Sequence, residues 1–193
     1  MKREKYLVLI FTYMAGWLLV GCGACRREPV AVEYSQLTIF GARDTLLPGD
    51  FAIRTVAAAM QEISVPATAM LLEKVQLLAD SLSYLRFNGL EIEVMEITHV
   101  PDIGLLLRVN LAEDAAFKGP GSLPSFHSWY DFFQGSAGGM ETTITLRASF
   151  LQPSLYGEWV DAVAFYYQGK PFADEEWAHV LLQGQIARND YAP

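Results

Sequence analysis

The only two cysteines of the chain are Cys22 and Cys25, and none follows them up to Pro193. No disulfide can therefore staple the long stretch beyond residue 25. Small domains outside the cytoplasm often rely on such staples in place of a large core. This chain has to be held by burial alone. It has the material for that, since 52% of its residues are apolar. Without its first 21 residues it has about 172, which suits one domain with a substantial core.

Both thiols sit at the end of a greasy N-terminus. Residues 1–6 (MKREKY) are basic, and Leu7 to Gly21 is an apolar run of 15 residues. A membrane-crossing helix needs about 20 apolar residues. A short run behind a basic start has the layout of a secretory signal peptide. The run ends in Leu19-Val20-Gly21-Cys22. This resembles the bacterial lipobox, with an aliphatic residue three before the cysteine and a small one just before it. The resemblance implies that Cys22 carries a diacylglyceryl thioether and becomes the first residue after cleavage. Its amine would then be open to acylation, with palmitate-like chains inserting in a membrane. Each buried methylene contributes about 0.8 kcal/mol, and two or three chains hold where one does not. Gly23 stands where an Asp would retain such a protein at an inner membrane, so an outer layer is allowed. Cys25 reads as a thiol in the tether, with an intermolecular disulfide as the alternative. The expected organisation is a signal peptide over 1–21, a lipid-anchored tether over 22–34 and one folded domain over 35–193.

Charge excludes some partners. The chain is at −8, and Lys2, Arg3, Lys5 and Glu4 make the leader +2, so the rest stands near −10. Nucleic acid rewards clustered Lys and Arg, and none is expected as a partner. Anionic lipid would repel such a surface.

Along the chain, Gln36–Gly41 reads as a strand, followed by turns at 41–44 and 46–50. Residues 51–60 fit strand or helix. A helix is expected from Val65-Pro66, since proline suits a first turn. Its apolar line is Leu71, Val75, Leu78, Leu82 and Leu85, and Asn88-Gly89 stops it. Leu90, Ile92 and Val94 alternate with Glu91 and Glu93, the pattern of a half-buried strand. The phase slips at Met95, which predicts a bulge. A turn at 101–104 leads to a hairpin partner in which Leu105, Leu107, Val109 and Leu111 share a side. Residues 112–124 form a loop. A second helix is expected over 140–151, with Met140, Ile144, Ala148 and Leu151 on one face and Pro153 ending it. Residues 160–168 are apolar on both faces, hence an interior strand. A turn at 169–171 and a short helix over 174–183 close the chain, with Asp174, Glu175 and Glu176 at that helix's positive end.

This order, and certain phrases within it, resemble the GerMN domain of spore-germination and other bacterial lipoproteins. The likeness rests on LTIFGARDTLLPGDFAIRTV (37–56), LLLRVNLAEDAAF (105–117) and METTITLRASFLQPSLYGEWVDAVAFYYQGKPF (140–172). Asn110 and Gln168 stand where the family usually has Asp. The resemblance implies an α+β domain with about two helices on a small mixed or antiparallel sheet. It also implies a role in envelope assemblies, some of them ring-forming, and it transfers no catalytic residue.

The candidate sites are few. His99, His127 and His179 have no partner at metal-ligand spacing, so no metal or cofactor is expected. Glu91 and Glu93 share one strand face. Acid–base work needs two different environments, and neighbours on a wet face do not have them. The glycine-rich GSAGG (135–139) lacks the Walker lysine and reads as a hinge. No G-x-S-x-G elbow occurs. One cluster remains: Phe126, Trp129, Tyr130, Phe132 and Phe133. Trp129, Phe132 and Phe133 fall on one helical face, which suits core packing. The other reading is an exposed patch, since aromatics are enriched in interface cores and stack on sugar rings. Trp159, Tyr166 and Tyr167 are candidates to line the same region. The expectation is a non-enzymatic docking module for an envelope protein or peptidoglycan, capable of homo-oligomer formation. The alternative is a small-ligand or sugar-binding lipoprotein.

Overall fold

Two antiparallel hairpins and one long buried helix organise the protein in a computed structural model that describes residues 32–46, 49, 52–173 and 177–191. Cys22, Cys25, the expected signal peptide over 1–21 and most of the expected tether over 22–34 lie outside the described residues. So do Asp174, Glu175 and Glu176.

The first hairpin joins β1 (Tyr34–Leu46) to β2 (Ile53–Pro66). β1 does not turn at 41–44. It runs on, with Gly41 paired to Ala58 and Asp44 to Thr55, and Thr55 Oγ1 donates to Asp44 Oδ1 at 2.7 Å. Glycine suits that place because an added Cβ would stand 2.9 Å from Met60 Cγ. The segment that fitted strand or helix is strand. Val65 and Pro66 are its last residues and do not open a helix. Pro66 has no N–H to offer a ladder, and sheets accept proline where pairing stops.

Helix α1 (Leu71–Arg86) begins at Met70, whose N–H donates to the Glu73 carboxylate at 2.9 Å. Val75, Leu78, Ala79 and Leu82 are buried, and Leu85 at the end of the expected line is 39% exposed. Asn88 and Gly89, both at positive φ, end it. The second hairpin pairs β3 (Glu91–Val100) with β4 (Gly104–Ala112), and the register slips at Met95 as the broken alternation predicts. Leu107, Val109 and Leu111 face the main core.

A parallel strand cannot follow directly, so the chain crosses over. The crossover carries α2 (Trp129–Phe132) and α3 (Ser136–Leu151), then delivers β5 (Ala162–Tyr167) beside β4. β5 is interior, as its two apolar faces predict. β6 (Lys170–Pro171) and β7 (Gln185–Ala187) pair along its other side. The result is an α+β fold with a sheet of two strands and a sheet of five. Asn110 Oδ1 accepts from Gly169 N–H at 2.8 Å and so ties the β5–β6 turn to β4.

Two expectations about helices are corrected. α3 starts at Ser136, so Gly138 and Gly139 are its first turn and no hinge. Gly139 is buried, and a Cβ there would stand 2.8 Å from the His179 carbonyl oxygen. The described part of 174–183 is not helical. Val180 and Leu182 are both buried, two residues apart, and the Leu181 N–H donates to Thr143 Oγ1 at 3.0 Å. A turn at 178–179, closed by Val180 N–H donating to the Trp177 carbonyl at 3.2 Å, precedes this alternating burial.

α3 is wrapped by the rest of the fold. Thr142, Thr143, Thr145 and Ser149 are buried with Ile144, Leu146 and Phe150, while Met140 of the expected apolar face is partly exposed. The buried polar groups mostly find partners. Ser149 Oγ accepts from Phe40 N–H at 3.0 Å. Gln152 Oε1 accepts from Thr38 N–H at 2.9 Å, and its Nε2 donates to the Thr38 carbonyl at 2.6 Å. The second edge of β1 is thereby satisfied by side chains instead of a strand.

Candidate functional site: an aromatic cleft

The segment after β4 is pinned by one carboxylate. Glu113 accepts from the N–H groups of Trp129 at 3.0 Å and Tyr130 at 2.9 Å, and from the Tyr167 hydroxyl at 2.8 Å. Ser128 caps the short helix, its Oγ accepting from Asp131 N–H at 3.3 Å. Phe126 sits at φ 60, held by its N–H donating to Asp131 Oδ2 at 2.9 Å and its carbonyl accepting from Asn88 Nδ2 at 3.0 Å. Residues 112–128 have little regular structure, so these bonds fix where the rings point.

The five rings do not form one exposed patch. Trp129 is fully buried, with its indole N–H donating to the Glu91 carbonyl at 3.1 Å. It packs on Phe87 at 4.8 Å and on Phe133 at 6.0 Å between ring centres. Phe133 is buried too, and Phe132 is half-buried against Phe87 at 5.2 Å. The shared helical face of Trp129, Phe132 and Phe133 is a core face. Tyr130 is half-buried, and Phe126 alone is exposed, at 52%.

Beside this core lies an open cleft of about 520 Å³. Its walls are Phe117, Tyr130, Phe133, Tyr167 and Trp177, with Gln134 and His179 supplying polar groups. Trp177 stands against three of these rings, at 5.6 Å from Tyr130, 5.0 Å from Phe133 and 5.8 Å from Tyr167. Its indole Nε1 is buried and has no hydrogen-bond partner. Of the further aromatics, Tyr167 lines the cleft. Trp159 is core, donating to the Phe150 carbonyl at 2.7 Å, and Tyr166 packs on the opposite sheet face with Leu106 and Ala164. Trp177 and Phe117 were not singled out from the sequence. Trp177 fell in a stretch read as helix, and Phe117 in a loop. The only signal for either was its residue type.

The other candidates stay dispersed. His99, His127 and His179 are exposed, and among the described residues no group of His, Cys, Asp and Glu could hold a metal. Glu91 and Glu93 are exposed on the outer face of β3, and Glu93 accepts from Asn110 Nδ2 at 2.9 Å. Among the described residues no helix is long and apolar enough to cross a membrane. Comparison with family models, with curated proteins and with solved structures finds no match.

Proposed function

We propose that this chain is an envelope lipoprotein, anchored through Cys22, whose domain docks onto an envelope protein or onto peptidoglycan and catalyses no reaction. The resemblance to GerMN domains belongs to this proposal, and the α+β architecture is compatible with it. The observation that carries the reading is the aromatic cleft. Tyr130, Tyr167 and Trp177 offer flat apolar faces beside polar groups of Gln134 and His179. That pairing suits a sugar ring or an apolar side chain presented by a partner.

A second reading, a small-ligand or sugar-binding lipoprotein, is favoured by the size of the same cleft. About 520 Å³ falls within the range of small-molecule sites. One experiment addresses both. The mature chain in detergent is mixed with purified peptidoglycan, with solubilised envelope proteins and with short glycan fragments, beside Tyr130→Ala and Phe117→Ala variants. Docking predicts retention on peptidoglycan or on one envelope protein, reduced about tenfold in both variants. Binding of soluble fragments alone would favour the second reading. Retention unchanged in both variants would remove the cleft from either.

A further inference from the structure

A second cleft, of about 540 Å³, lies between the β3–β4 turn and the chain segments that follow α3 and β7. Its walls carry Asp102, Asp161 and Arg188, charges of both signs, with Leu155 and Ile103 as apolar neighbours. Tyr156 stands at the same cleft and is 99% exposed. A large aromatic ring with no cover on the protein is free to close on something else.

The opposite charges do not neutralise one another. Nη2 of Arg188 donates to the carbonyls of Gln152, at 2.9 Å, and Leu155. This places the guanidinium just past the C-terminal end of α3, where the helix dipole favours a cation. Asp161 Oδ2 accepts from Leu105 N–H at 2.8 Å. The Asp161 carbonyl accepts from Arg188 N–H at 2.8 Å, so the two residues are neighbours across β5 and β7. Yet no ion pair joins them: among the described residues no carboxylate lies within salt-bridge distance of Arg188. Backbone groups draw each charge its own way and hold the two apart. The remaining donors of Arg188, Nε and Nη1, have no partner among the described residues.

A fixed positive group, two carboxylates and an open ring lining one cleft make a dipolar cradle. A simple anion would meet Asp102 and Asp161, and a simple cation would meet Arg188. A ligand bearing both charges meets neither penalty. We propose that this cleft binds a free amino acid or short peptide as its zwitterion. The carboxylate sits on Arg188, the ammonium on Asp102 and Asp161, and Tyr156 closes over the ligand. This stands on different residues from the aromatic cleft and does not depend on it.

The test is calorimetric titration of the full chain in detergent micelles. The probes are alanine, dialanine, N-acetyl-dialanine and dialanine amide. At least one free zwitterion should bind with a Kd below about 1 mM, and each blocked peptide at least about tenfold more weakly. Tighter binding of alanine than of dialanine would assign a free amino acid, and the reverse a peptide. Arg188→Gln removes a bond to the end of α3 as well as the charge, so two variants at exposed side chains carry the argument. Asp102 sits at φ 66, which asparagine also accepts. Asp102→Asn should weaken the zwitterion about tenfold, while N-acetyl-dialanine, relieved of a repelling carboxylate, should bind no more weakly than before. Tyr156→Ala should weaken every probe that binds. Absence of heat from both free zwitterions up to about 10 mM overturns the proposal, as does equal binding of free and blocked peptides. So does an Asp102→Asn variant that binds like the parent.

Discussion

Ser149 and Gln152 do for β1 what a neighbouring strand would do. Phe40 N–H and Thr38 N–H face away from β2 and toward α3, where no ladder is available. They are met by Ser149 Oγ at 3.0 Å and Gln152 Oε1 at 2.9 Å. A buried donor left without its acceptor costs about 1–3 kcal/mol, more than the net worth of the bond itself. Ser149→Ala should therefore lower unfolding stability by that amount in urea titration. Ser81→Ala, whose hydroxyl is exposed on α1, should change it by less than about 0.5 kcal/mol. Similar losses in the two variants would contradict this account of the edge. The same scale separates the aromatic residues. Trp129 is fully buried, and Trp129→Ala should cost about 3–5 kcal/mol. None of these partners was legible in the sequence, because Ser149 and Phe40 stand 109 residues apart. A serine in a helix otherwise rich in apolar residues carries no mark of the amide it will meet.

At the scale of elements, two adjacent glycines decide how α3 begins. Both lie inside the helix, and neither has a positive φ. Around Gly138 the nearest atom to an added Cβ is the Phe132 carbonyl oxygen, at 3.7 Å, an ordinary contact. At Gly139 the added Cβ meets the His179 backbone at 2.8 Å, and backbone cannot move aside cheaply. Gly138→Ala should thus stabilise the protein by about 0.4–1 kcal/mol, through a less disordered unfolded chain. Gly139→Ala should destabilise it by about 1–3 kcal/mol. A flexible hinge at 135–139 would give the two variants the same sign, so thermal unfolding of the pair checks the helix start directly. Legibility follows the range of the interaction that forms each element. The β3–β4 hairpin with its bulge, the buried line of α1 and the interior strand β5 were all readable. In the hairpin and α1 the apolar residues repeat every two or every three to four positions, and β5 is apolar on both faces because each faces its own cluster. Pro66 and the stretch 177–183 misled because long-range partners outweighed local preference. β1 claims the residues up to Pro66, and Thr143 claims the backbone at Leu181. The cleft was half legible: Tyr130, Phe133 and Tyr167 stood out as aromatics, whereas Trp177 reaches them only through the tertiary fold.

At the scale of the whole molecule, net charge and the proposed anchor have to be weighed together. Beyond residue 21 the chain stands near −10, so an anionic membrane surface repels it. If the protein stays at a membrane, acyl chains on Cys22 have to hold it against that repulsion. Apolar burial of acyl chains does not weaken with salt, whereas electrostatic attachment fades as screening shortens from about 10 Å at 0.1 M to 3 Å at 1 M. Cells expressing the full chain with labelled palmitate should therefore show label on the wild type and on Cys25→Ser, and none on Cys22→Ser. The labelled protein should stay in the membrane fraction through a wash at about 1 M salt. Label on Cys22→Ser would move the modification to Cys25 or elsewhere. A wild type without label, released by the salt wash, would leave the domain without the proposed anchor and would turn the aromatic cleft into the site of a freely diffusing binder.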